Sequence, residues 1–181
     1  MSPDSNRIMS SRFPSAARAA AQSVTPCPLD SFDRRILELV QRQGDIGPAE
    51  LSSQVHLSPS QCSRRLQRLR TEGYVDAVVA LLSPKKLNLG IKVCLLVKLR
   101  SISPEVEQSF RDRIMSLSEV VSADYLTGQS DFVLEIQTRD VESYASFLSE
   151  RLLPGLEIES VHSSFVLKPI KAGTKLPLNY C

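Results

Sequence analysis

His56–Leu69, HLSPSQCSRRLQRL, sets three serines, a proline, a cysteine and three arginines around leucines spaced for a helix. Ser58 is placed to cap that helix, with Pro59 at the first helical position, where the missing N–H has no cost. Gln61 stands three residues after the cap and completes a Ser-x-x-Gln capping box. Cys62, Leu66 and Leu69 recur at i, i+4 and i+7 and form one apolar stripe. Ser60, Gln61, Arg64, Arg65 and Arg68 fall on the remaining surface. Four arginines and no acid lie between Ser58 and Thr71, and Gly73 supplies the stop.

Working outward, Pro48 and Ala49 open a short helix with Leu51 and Val55 on its apolar face, separated from the Ser58 helix by only His56 and Leu57. Upstream, LDSFDRRILELVQRQG puts Phe32, Ile36 and Leu39 or Val40 on one face, with Asp30 or Ser31 as cap and Gly44 as terminator. Three helices around a small core, the last two joined tightly, describe a helix-turn-helix unit. Its last helix presents Ser58, Ser60, Gln61, Arg64, Arg65 and Arg68 to double-stranded DNA. Arginine reads guanine through two acceptors, glutamine reads adenine, and serine bonds base or phosphate. Charge runs on helices are more often solvated surface, so the tight helix spacing carries this reading more than the arginines do. Cys62, on the apolar stripe, reads as a small buried hydrophobe.

At 181 residues the chain has room for one ordinary domain or two small ones, and its net charge of +2 announces no global field for nucleic acid. Cys27, Cys62, Cys94 and Cys181 are far apart and distant from His56 and His162, which argues for a reducing cytosol and no metal site. The longest apolar run, VCLLVKL, is strand-sized, so no membrane association is expected. Residues 1–28, rich in Ser, Ala and Pro with Arg7, Arg12 and Arg18, read as a disordered tail or as sequence upstream of a true start at Met9. The helix-turn-helix domain spans 29–75, a strand and hinge 76–90, the second domain 91–171, and a C-terminal tail 172–181.

After Gly73, YVDAVVALL is apolar and rich in valine and predicts a strand beside the helical unit, turned away at Ser83–Pro84. The second domain reads as strand (Ile91–Arg100), helix (Val106, Phe110, Ile114, Leu117), strand (Val120–Leu126), turn, strand (Phe132, Leu134, Ile136), helix capped by Asp140, and a last strand (Ile158–Leu167). That order, βαββαβ, is the ferredoxin-like split unit. The fold class is α+β: an N-terminal winged helix-turn-helix and a C-terminal ferredoxin-like domain. No phosphate loop, nucleophile–base pair or carboxylate cluster appears, which excludes catalytic residues and a cofactor from the expectation. A sheet covered on one face only is most readily hidden by a second copy of the chain, and twofold operators are read by recognition helices about 34 Å apart.

Leu29–Val75 resembles the DNA-binding half of the leucine-responsive and asparagine-regulator family, Lrp/AsnC, in its L-D-x-x-D-x-x-I-L and L-S-x-x-x-C-x-x-R-x-x-x-L runs, followed by Gly73-Tyr74-Val75 where the family has G-x-I. ALLSPKKLNLG resembles the family's hinge, and the likeness extends over about 29–171. The resemblance implies a bacterial or archaeal cytoplasmic, nucleoid-associated regulator of transcription, a homodimer that assembles up to octamers and binds an amino acid. In the family the effector lies near a Gly-Asp-[Phe/Tyr]-Asp turn; here the turn is Gly128-Gln129-Ser130-Asp131-Phe132, lacking one acid and one aromatic. The implied effector pocket comprises Gly128, Gln129, Asp131 and Phe132, with Val141, Ser164, Phe165 and Val166 as neighbours. Backbone N–H groups at Gly128 would hold a carboxylate, Asp131 an ammonium, and Phe132 or Val141 the ligand side chain. The plain alternative is that Gly128 permits a hairpin and Asp131 closes an Asx-type bond. An architectural DNA binder without an effector is the second functional reading.

Overall fold

The computed structural model describes residues 28–171, 173 and 175–180. The tail expected over 1–28 lies outside them except for Pro28, as do Cys27 and Cys181. The chain divides into two compact units. One comprises the chain up to Leu81 together with the segment from Lys171 onward, the other Leu82–Ile170.

In the first unit, α1 (Ser31–Arg42) starts at a capping box in which Asp30 and Asp33 reciprocally accept each other's backbone N–H. α2 (Pro48–Val55) has proline at its first position and ends at His56, which adopts a left-handed conformation at φ 60°. α3 (Pro59–Thr71) begins at the Ser58–Gln61 capping box. It closes with Gly73 at φ 78°, where the Tyr74 N–H reaches the Leu69 carbonyl and the Gly73 N–H reaches that of Arg70, a Schellman end. Ile36, Leu39, Val40, Leu51, Cys62 and Leu69 meet in one core. Each such side chain contributes about 1.5–3 kcal/mol on burial. Phe32 departs from its expected core position: it remains 39% exposed, under the Arg65 guanidinium at 5.5 Å.

Two further expectations are corrected here. Tyr74–Leu82 forms no strand, and the unit carries no wing strand among the described residues. A strand needs a neighbouring edge to bond its backbone, and Val79, Leu81 and Leu82 stand exposed with none beside them. The C-terminal segment is not a free tail. The Leu176 N–H donates to Gln41 Oε1 at 2.6 Å, Gln41 Nε2 donates back to the Leu176 carbonyl, and Leu178 packs against the helical core.

The second unit opens with a 3-10 turn at Pro84–Leu87 and continues as β1 (Ile91–Leu99), α4 (Pro104–Ser116), β2 (Val120–Tyr125), β3 (Phe132–Thr138), α5 (Val141–Ser146) and β4 (Ile158–Phe165). α5 runs on into a π-helical turn, Phe147–Leu152. The sheet is antiparallel with order β2-β3-β1-β4, the arrangement of a ferredoxin-like βαββαβ unit. Along β1, Val93, Leu95, Val97 and Leu99 are buried against Phe110, Ile114, Tyr144 and Leu152, while Lys92, Cys94, Leu96 and Lys98 alternate onto the other face, away from α4 and α5.

Candidate nucleic-acid interface and effector site

α3 carries the DNA-facing candidates, and its neighbours decide which of them are free. With about 100° per residue, the direction opposite the buried Cys62, Leu66 and Leu69 is occupied by Ser60, Arg64, Gln67 and Thr71. Arg64 is exposed and takes part in none of the ion pairs of the described residues. Ser58 and Gln61 are engaged in the cap: Gln61 Oε1 accepts from the Ser58 N–H at 3.0 Å, leaving its amide nitrogen for another partner. The Ser60 hydroxyl lies 3.1 Å from that of Ser58.

Arg65 and Arg68 have a different position from the one their spacing suggests. Both turn to α1, where Arg65 bonds Asp30 at 2.7 Å and Asp33 at 2.8 Å, and Arg68 bonds Asp33 at 2.5 Å. Asp33 is 1% exposed, so its charge is held inside the unit by these two guanidinium groups. The hydrogen bond from the Asp33 N–H and the Arg65 guanidinium keep the Asp30 carboxyl below the usual carboxylate range; the same two carboxylates raise Arg65. Burial pushes the Cys62 thiol up, as suits a side chain that packs. Four arginines without an acid is therefore a property of the α3 sequence and not of the folded surface. Gln67 was absent from the expected contacts; its place on the outward line at i+7 from Ser60 is the signal that marks it.

In the second unit, strand register separates the implied effector residues into two groups. Phe132 pairs with Val97, but Phe165 pairs with Val93. Four residues along β1 is about 13 Å, so the Gly128 turn and the group Ser164, Phe165 and Val166 lie toward opposite ends of the sheet. Val141 follows Thr138, which pairs with Ile91, and so belongs to the far end too. Asp131 is consumed locally: its carboxylate accepts the Leu99 N–H at 2.7 Å, its N–H reaches the Val97 carbonyl, and its carbonyl accepts from Leu126. Phe132 is buried, its ring 4.5 Å from that of Phe110 and 5.0 Å from that of Tyr125. The Phe132 side chain is packed in the core, and one of the two Asp131 carboxylate oxygens is already bonded.

The turn nevertheless borders a cavity of about 620 Å3. Gly128 (φ 132°), Gln129 and Ser130 form one wall; Leu96 and Lys98 of β1 and Glu159, Ser160 and His162 of β4 form the others. Lys98 and Glu159 are paired at 3.0 Å and both half exposed. One cation, one carboxylate, turn N–H groups and an apolar floor are what a zwitterion of amino-acid size requires.

Comparison with known proteins gives two family matches. Residues 29–70 match the AsnC-type helix-turn-helix domain and 92–176 the Lrp/AsnC ligand binding domain. The chain is similar to the HTH-type transcriptional regulator Zrp of Zymomonas mobilis, at 34% identity over 84% of this chain and 99% of that protein. It is also similar to the leucine-responsive regulatory protein of Escherichia coli, at 30% identity over 82% of this chain and 90% of that protein. Among solved structures, a transcriptional regulator of Neisseria meningitidis in complex with L-methionine superposes with a TM-score of 0.81 at 38% identity, covering 84% of this chain and 98% of the other.

Proposed function

Because the chain belongs to the Lrp/AsnC family of helix-turn-helix transcriptional regulators, we propose that α3 reads the operator through Ser60, Arg64 and Gln67, and that an amino acid bound beside the Gly128 turn modulates that reading. The exposed, unpaired Arg64 on the outward line of α3 is the observation that carries the first half. Ser58, Gln61, Arg65 and Arg68 act at one remove: two build the cap that orients the helix start, and two fix α3 against α1.

For the effector, Lys98 is placed to take the carboxylate and Glu159 the ammonium, exchanging their mutual ion pair for the ligand's two charges. Leu96 and Ser160 border the ligand side chain. The Neisseria relative's complex with L-methionine makes methionine the first ligand to try. The regulator acts on cytoplasmic nucleoid DNA as a homodimer, covering the outer sheet face around Cys94 and Val133 with a second copy.

The test is a mobility shift on the DNA upstream of the protein's own gene, run with each of the twenty amino acids. A shift altered by one amino acid, and no longer altered in Lys98→Ala, supports the whole reading. A shift indifferent to all of them leaves an architectural DNA binder, the reading favoured by a turn whose one remaining acid, Asp131, is occupied by the Leu99 N–H. Absence of a shift at low salt overturns both.

A further inference from the structure

The end of the second unit's sheet from which the chain runs to the helical unit is cationic, and the function described above does not use it. The chain between Ala77 and Arg100 contains no aspartate or glutamate, and neither does the chain from Val166 to Cys181. Lys85 and Lys86 stand in the first stretch and Lys168 in the second. The fold brings these stretches together: the Val166 N–H donates to the Lys92 carbonyl at 2.9 Å, so that Lys168 stands two residues beyond that bond and the Pro84–Leu87 turn ends five residues before it. The turn is itself ordered, with the Leu89 N–H on the Pro84 carbonyl at 2.9 Å and the Asn88 N–H on that of Lys85.

The charges on neighbouring elements leave these lysines uncompensated. Glu135 of β3 is paired with Lys92, and Asp140 at the start of α5 with Arg139. Glu119, whose carbonyl accepts from the Gln137 N–H, is paired with Arg151, which leaves Glu142 as the remaining acid at this end. Among the described residues Lys85, Lys86 and Lys168 join no ion pair, and all three are exposed. Three ammonium groups on a hydrogen-bonded turn and the segment that follows an adjoining strand suit the regularly spaced phosphates of a duplex, because the turn's backbone order already exists before contact.

We propose that Lys85, Lys86 and Lys168 form a second DNA-backbone contact, independent of base readout, on DNA flanking the segment held by α3. Chain length allows it: ten residues separate Val75, packed against the helical core, from Lys85, a span of at most about 35 Å and so about one helical turn of duplex. Such a contact adds affinity and salt dependence without sequence preference, and it couples the ligand-binding unit to DNA directly.

The inference rests on the chain binding DNA, and the two fail separately. Binding of the full-length chain to random-sequence duplex DNA is titrated against salt. The Lys85→Ala/Lys86→Ala/Lys168→Ala variant is expected to lower the slope of log affinity on log salt by about 0.9 for each phosphate that the lysines no longer neutralise, roughly two to three in all, with melting temperature and oligomer size unchanged. The corresponding triple arginine variant is expected to keep the wild-type slope. A wild type that binds with a slope unaltered in the alanine variant overturns the second contact, and so does a reduced slope that arginine does not restore. A wild type that binds no DNA at low salt overturns the reading beneath it.

Discussion

Arg64 and Arg65 are adjacent, identical in chemistry, and opposite in use. Arg65 spans α1 and α3 and neutralises Asp33 at 1% exposure, whereas the exposed Arg64 joins no ion pair among the described residues. Arg64→Ala is expected to cost operator affinity about 1–3 kcal/mol with an unchanged melting temperature. Arg65→Ala is expected to lower the stability of the helical unit by about 1–2 kcal/mol, a figure reduced because Arg68 remains on Asp33 and Arg65 keeps a quarter of its side chain in water. Thermal unfolding beside a mobility shift separates the two effects. The same cluster sets an acid limit. Asp30 ionises more readily folded than unfolded, so its contribution is present above the ordinary aspartate value of about 4 and is lost as pH falls through the lower folded value. Urea unfolding between about pH 6 and 2.5 is expected to show this acid loss, shallower in Asp30→Asn than in wild type.

At the scale of elements, what the sequence disclosed was local. The Ser58–Gln61 box, the Gly73 stop and the 2.0 and 3.6 periodicities each depend on residues within a few positions of one another, and all of them appear in the folded chain. The candidate site was legible only where the same condition held. The pairing of Arg65 with Asp33 joins residues 32 apart, and the separation of Phe165 from the Gly128 turn is a matter of strand register, which neither composition nor spacing encodes. Tyr74–Leu82 is the converse case. It has the composition of a strand and lacks the edge to become one, leaving Val79, Leu81 and Leu82 at 65%, 78% and 70% exposure. Pairing with the same segment of a second copy would satisfy both its backbone and its side chains. Replacing Val79 and Leu81 with lysine is therefore expected to shift the chain toward monomer in sedimentation equilibrium while the far-ultraviolet circular dichroism of the helices persists.

The whole molecule has a chain path that neither unit shows alone. The helical unit is made of two pieces, the chain up to Leu81 and the segment from Lys171, with the entire ferredoxin-like unit between them. Removing residues 175–181 is thus expected to lower the melting transition of the DNA-binding unit, through loss of the Gln41–Leu176 bonds and Leu178, and to leave that of the second unit unchanged. Differential scanning calorimetry of the truncated and full chains reads both.

The Gln41–Leu176 clasp closes a loop of 135 residues. When the second unit is unfolded, that loop is a long floppy chain; when it is folded, its entry and exit strands lie side by side and the effective loop shrinks severalfold. Each halving removes roughly 0.6 kcal/mol of closure entropy. A metabolite that merely keeps the second unit folded would thereby tighten the clasp on α1, conveying its presence to the DNA-binding helices through the polymer statistics of the chain, with no interface between the two units required.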